Sequence, residues 1–134
     1  MDKIEHIGIA VRDLDAAIIL YERLLGVPCY KTEEVQSEGV MTAFFMTGHS
    51  KVELLAALRP ETPVGRFLDH KGEGIHHVAF EVADIRAEMR RLKEGGFQLL
   101  SEEPRAGADN KIVCFVHPKD TKGLLIELCQ QIKD

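Results

Sequence analysis

The sequence predicts an α+β fold assembled from two tandem β-α-β-β-β modules, and three observations carry that prediction. The run Ile4-Glu5-His6-Ile7-Gly8-Ile9-Ala10-Val11 returns as Ile75-His76-His77-Val78-Ala79-Phe80-Glu81-Val82, pairing His6 with His77 at an offset of 71 residues. The run Lys51-Val52-Glu53-Leu54-Leu55 returns as Leu125-Ile126-Glu127-Leu128-Cys129, pairing Glu53 with Glu127 at an offset of 74 residues. After each opening run an aspartate, Asp13 or Asp84, stands where a helix N-cap belongs. Self-similarity at this spacing marks repeated supersecondary units that share a core. The modules are expected at 1–57 and 75–134, joined by a linker at 58–74, within one domain of 134 residues.

The elements follow in order. Residues 4–11 alternate and are rich in β-branched side chains, so they read as a strand. Behind Asp13, the apolar residues Leu14, Ala17, Ile18, Tyr21, Leu24 and Leu25 recur at helical spacing until Gly26 and Pro28 stop the pattern. Strands are expected near 28–36, 40–47 and 51–57, separated by the turn-forming Ser37-Glu38-Gly39 and Thr47-Gly48-His49-Ser50. Pro60, Pro63, Gly65 and Gly72 break the periodicity of the linker, where Val64, Phe67 and Leu68 have the spacing of a short helix. The second half restates the plan with a strand at 75–82 and a helix through Ile85, Met89 and Leu92 that stops at Gly95-Gly96. Strands are then expected at 97–101, 110–117 and 123–130, with 101–110 an irregular Gly- and Pro-rich loop.

Composition narrows the function classes. No apolar run approaches the length of a membrane span, and the first residues enter a strand pattern with no leader, so a cytoplasmic protein is expected. Cys29, Cys114 and Cys129 are odd in number, sit in apolar stretches and form no C-x-x-C pair, which argues for reduced core residues over a disulfide framework or a zinc-thiolate site. A net charge of −5 with both signs interspersed gives no footprint for nucleic acid, leaving small molecules as partners.

A lone strand histidine is more often structural than ligating, and a lone Glu in V-E-L or I-E-L is usually the outward residue of an alternating strand. Packing gives no reason for both to recur at matched places in the two halves. His6, Glu53, His77 and Glu127 are therefore the expected ligands of a divalent ion of the Mn, Co, Ni or Zn type, which accepts imidazole and carboxylate together. Such an ion polarises a carbonyl and stabilises the enolate left when the neighbouring carbon loses a proton. Neighbouring strand residues face opposite ways, so only one of His76 and His77 points at the site, and the repeat selects His77. His49 and His70 lie in polar turns and read as solvated, whereas His117, before Pro118 at a strand end, is a candidate contact to a metal ligand or to substrate.

These motifs resemble the vicinal-oxygen-chelate (glyoxalase/bleomycin-resistance) superfamily, and within it the methylmalonyl-CoA epimerase family, from His6 to Glu127. The most specific stretches are Gly72-Glu73-Gly74-Ile75-His76-His77-Val78-Ala79, Glu102-Glu103-Pro104-Arg105-Ala106-Gly107-Ala108, Val116-His117-Pro118-Lys119-Asp120 and Gly123-Leu124-Leu125-Ile126-Glu127-Leu128. The resemblance implies a curved mixed sheet around the metal and interconversion of (2R)- and (2S)-methylmalonyl-CoA through a metal-stabilised enolate. It implies that Glu127 is both ligand and catalytic base, and that a homodimer forms. The family's second carboxylate base does not carry over, because Thr42 stands at its place; Glu38 or a metal-bound water are the substitutes. Glu53 stands where some members have glutamine. The phosphates of an acyl-CoA call for basic side chains, for which Lys119, Lys122 and Arg105 are the candidates by loop position. A glyoxalase I-type lyase acting on a glutathione hemithioacetal is the alternative enzyme, and a metal-free small-molecule-binding module of the same fold is the alternative outside catalysis.

Overall fold

The computed structural model describes residues 1–132. Two compact units emerge, one of residues His6–His76 and one of Met1–Glu5 with the chain from His77 onward. No helix among the described residues is long and apolar enough to cross a membrane.

In the first unit, β1 (Lys3–Ala10) leads through helix α1 (Leu14–Leu25) to β2 (Lys31–Val35), β3 (Val40–Thr47) and β4 (Ser50–Ala57). The Asp13 carboxylate accepts from the Ala16 N–H, and the chain leaves α1 at Gly26 with φ of 72°, the left-handed turn that glycine tolerates best. Strand β4 runs parallel to β1 and antiparallel to β3, with β2 outside, which makes the sheet mixed. Ile9, Val52 and Leu54 pack with Val11, Ala17, Ala43 and Phe45 against α1. Alternation then sends Glu53, between Val52 and Leu54, to the face away from the helix. Helix α2 (Pro63–Lys71) fills the linker, its start fixed by Pro63 and by the Thr62 hydroxyl accepting from Gly65 N–H at 3.1 Å.

The second unit repeats this plan through β5 (Gly74–Glu81), α3 (Ile85–Glu94), β6 (Arg105–Ala106), β7 (Lys111–Val116) and β8 (Leu125–Gln131). Asp84 caps α3 as Asp13 caps α1. Strand β8 is parallel to β5 and antiparallel to β7. Ile85, Met89 and Leu92 bury against Cys114, Val116, Leu128, Ile112 and Ile126, so Glu127 again faces away from the helix. The Asp2 N–H donates to the Glu81 carbonyl at 2.8 Å, tying the chain's first residues to β5.

Three expectations need correction. The strand expected at 97–101 is a single bridge between Leu99 and Val116, and the regular pairing falls instead at Arg105–Ala106, inside the segment expected to be irregular. The polar Ser101-Glu102-Glu103 and then Pro104, which has no N–H to give, interrupt the ladder, and it resumes only after them. On α1, Leu24 belongs to the solvent side at 68% exposure, next to Leu20, so the buried stripe is narrower than the sequence periodicity suggests. Cys114 and Cys129 are buried, but Cys29 is only partly so; all three are free thiols.

Candidate functional site

Each unit carries one buried histidine–glutamate pair, and the two pairs are built alike. In the first, His6 Nε2 lies 3.4 Å from Glu53 Oε1; in the second, His77 Nε2 lies 3.2 Å from Glu127 Oε1. All four residues are 3–6% exposed. The parallel ladders explain the geometry. Glu53 stands opposite Gly8, two residues beyond His6, and Glu127 stands opposite Ala79, two residues beyond His77. Both histidines are therefore the diagonal same-face neighbours of their glutamates. The sequence offsets of 71 and 74 differ by three residues, yet the register is the same, so the extra residues are taken up outside the paired segments.

A phenylalanine backs each glutamate from the antiparallel side, Phe44 opposite Glu53 and Phe115 opposite Glu127. The Phe115 ring meets the His77 imidazole edge to face at 6.0 Å between centroids. Buried carboxylates and imidazoles in apolar surroundings are costly unless they are paired or bound to a cation. His6, His77 and Glu127 are buried donors of the type that hold a metal ion. Nitrogen and carboxylate oxygen together suit a divalent transition ion, so the residues present fit such a group. Beside Glu127, the Cys129 thiol is pushed well above its usual range by burial, with the Glu127 and Glu5 carboxylates adding to the effect.

The other expected residues are placed less centrally. Arg105 lies on β6, Lys119 in the 3₁₀ turn Pro118–Asp120 and Lys122 just after it with φ of 61°; all three are exposed. His117 caps that turn, its Nδ1 accepting from the Lys119 N–H at 3.0 Å, which is a structural use of the ring. His76 is half-buried and meets Phe67 edge to face at 5.0 Å. His70 Nδ1 lies 2.8 Å from the Arg66 carbonyl on α2, and His49 is exposed in the β3–β4 turn. Thr42 is fully buried, and its hydroxyl donates to the Glu33 carbonyl at 2.8 Å. Lys111 escapes a reading by ligand type, although a lysine opening the apolar run Ile112-Val113-Cys114-Phe115-Val116 is a legible signal; it is 4% exposed.

Comparison with known proteins decides the family. Residues 5–115 match the Glyoxalase/Bleomycin resistance protein/Dioxygenase superfamily. The chain belongs to this superfamily. A relative from Cereibacter sphaeroides, an ethylmalonyl-CoA/methylmalonyl-CoA epimerase, is 42% identical over 96% of this chain and 97% of its own length. The mitochondrial methylmalonyl-CoA epimerase of Homo sapiens is 38% identical over 97% of this chain and 74% of its own length. The crystal structure of methylmalonyl-CoA epimerase from Mycobacterium tuberculosis is 36% identical, covering 98% of this chain and 89% of that one, with a TM-score of 0.94. The two β-α-β-β-β modules with mixed sheets thus have the vicinal-oxygen-chelate fold. Epimerase relatives and a buried imidazole–carboxylate donor set together support enzymatic chemistry of that superfamily's type.

Proposed function

We propose that this superfamily member epimerises (2R)- and (2S)-methylmalonyl-CoA by α-proton transfer, with His6, Glu53, His77 and Glu127 holding one divalent ion. The observation that carries this reading is the duplicated buried His–Glu pair in identical register, joined to relatives that are named as epimerases of this substrate. Two neutral imidazoles and two carboxylates offset the charge of a dication. A bound divalent ion of this kind supplies Lewis acidity that makes a hydrogen next to a carbonyl easier to remove.

The chain's own residues do the rest. The Glu127 carboxylate takes the α-proton from one face of the carbon in one direction of the reaction and gives a proton to that face in the other, held in place by the parallel pairing of β8 with β5. The apolar residues around it, Ala79, Val113 and Phe115, keep bulk water from the reacting carbon. Exposed Arg105, Lys119 and Lys122 serve the phosphates of the coenzyme A moiety, and the active species is a cytoplasmic homodimer.

The test is deuterium wash-in at the α-carbon of methylmalonyl-CoA in D₂O, with protein stripped of metal and then given Co or Mn. Metal-dependent exchange is the expected result. If none appears with any metal while a glutathione hemithioacetal of methylglyoxal is turned over, the lyase reading replaces this one.

A further inference from the structure

Helix α1 is apolar on both of its sides. Leu14, Ile18, Tyr21 and Leu25 pack against the core of the first unit. Ile19, Leu20 and Leu24 point away from it, 61%, 55% and 68% exposed. Residues four apart on a helix are neighbours along one row. The outward side therefore has two adjacent rows, Asp15, Ile19 and Arg23 in one and Ala16, Leu20 and Leu24 in the other, all exposed. The two charges in these rows stand at opposite ends of the first, Asp15 in the first turn and Arg23 in the last.

The fold does not ask for an apolar surface here. At the offset of 71 that relates the units, Ile19 corresponds to Arg90, Leu20 to Arg91, Asp15 to Arg86 and Arg23 to Glu94, all exposed on α3. The inward positions correspond equally well and stay apolar: Leu14, Ile18 and Tyr21 match Ile85, Met89 and Leu92. A helix that packs inward in the same way thus carries charge at the outward positions where α1 carries isoleucine and leucine. Three adjacent large apolar side chains left in water are unfavourable, and they mark a surface that something covers.

The charges identify the cover. Asp15 and Arg23 lie four residues to either side of Ile19, about 6 Å along the axis. A second α1 laid antiparallel across the first, with Ile19 at the crossing, brings Asp15 of each helix to Arg23 of the other. That arrangement is twofold symmetric, so one surface serves both partners. Among the described residues neither Asp15 nor Arg23 has an ion pair within its own chain. Leu20 and Leu24 form the neighbouring ridge, and rows of residues four apart interlock when two helices pack. That Asp15 and Arg23 also suit the ends of their own helix accounts for the charges and leaves the apolar residues between them unexplained.

We propose that the outward face of α1 is a homodimer interface, covered by the same face of a second copy in antiparallel register. The inference gives a surface to the homodimer of the reading above and rests on that reading for the dimer, not for its chemistry. One helix from each chain makes a small interface, in the class of weak or transient contacts, so dissociation is expected in the micromolar range.

The test is sedimentation velocity of the full chain from about 1 to 200 μM, as wild type, Leu20→Glu, Leu24→Glu, Asp15→Arg and Arg23→Asp. All four side chains are exposed in the single chain, so its core is untouched, and circular dichroism verifies the fold. Wild type is expected to dimerise. Leu20→Glu and Leu24→Glu, each entering the interface from both copies, are expected to weaken the dimer by at least about 100-fold. Asp15→Arg and Arg23→Asp each set like charges together at both ends of the crossing, for an expected weakening of about tenfold. An equimolar mixture of these two variants has opposite charges at both ends and is expected to dimerise as wild type does. No role confined to one chain produces that recovery. A mixture no tighter than either variant alone overturns the antiparallel pairing and the proposal with it. A dimer that Leu20→Glu leaves unweakened overturns the surface while the homodimer stands, and a monomeric wild type overturns both. The epimerase chemistry is decided separately, by deuterium exchange.

Discussion

The two units place a histidine, a glutamate and a phenylalanine in one shared register and then diverge further along the same strands. Beyond Glu53 and Phe44 the first unit has Leu55 opposite Thr42 and Ala57 opposite Val40. Beyond Glu127 and Phe115 the second has Cys129 opposite Val113 and Gln131 opposite Lys111. The shared part gives each unit the same pair of metal-donor types, an imidazole and a carboxylate. The divergent part replaces small and apolar pairs with a buried lysine and a glutamine.

The largest effect that tests this comparison is catalytic. Glu127→Gln is expected to lower epimerisation by roughly 1,000-fold, within the usual range for loss of a general base, while Glu53→Gln lowers it by about tenfold or less. Steady-state rates of both variants at saturating metal check the difference. Equal losses would mean that the two glutamates share one role.

Metal affinity probes the symmetric part. His6→Ala and His77→Ala should each weaken Co binding by similar factors in calorimetry, and a variant that binds normally would remove that histidine from the ligand set.

Backbone conformation offers a third contrast. Gly39 and Asn110 occupy equivalent places before β3 and β7, with φ of 70° and 59°. A Cβ at Gly39 would meet Thr62 Cγ2 at 2.5 Å, whereas Asn110 already carries a side chain in the same conformation. Gly39→Ala should therefore cost about 2–4 kcal/mol, from left-handed backbone strain and overpacking together. Asn110→Gly should stay within about 1 kcal/mol. Urea midpoints of the two variants test this.

The smallest effect lies on α3, which has a charge contact at its sheet-facing edge. The Glu88 carboxyl is held below its ordinary value of 4.5 by its hydrogen bond to Arg91, and further by the amino group of Met1, 3.2 Å away. Its folded pKa being lowered, the contact stabilises above the ordinary value and is lost as pH falls through the lowered one. Glu88→Gln should remove up to about 1 kcal/mol at pH 7, as for an exposed pair, and almost nothing at pH 2. Melting at both pH values measures it.

Much of this was legible in the residues. Asp13 and Asp84 announce their helices, and the repeated histidine-led and glutamate-carrying runs announce the strands that open and close each unit, because capping and alternation are local physics. The ladder at Arg105–Ala106 was not legible, since pairing after Pro104 depends on what β7 presents across the gap. Leu24 was misplaced for a similar reason: helical spacing marks an apolar stripe, but what packs against the helix decides how much of it is covered.

The amino-acid order alone determined the two-module plan, the helix caps and the four donor types, all of which follow from short-range chemistry repeated twice. Tertiary structure decided that each histidine sits diagonally from its glutamate, that His117 Nδ1 caps a turn, and that Lys111 is buried on the face of Glu127. Register and burial are properties of strand against strand, and no single stretch of chain contains them.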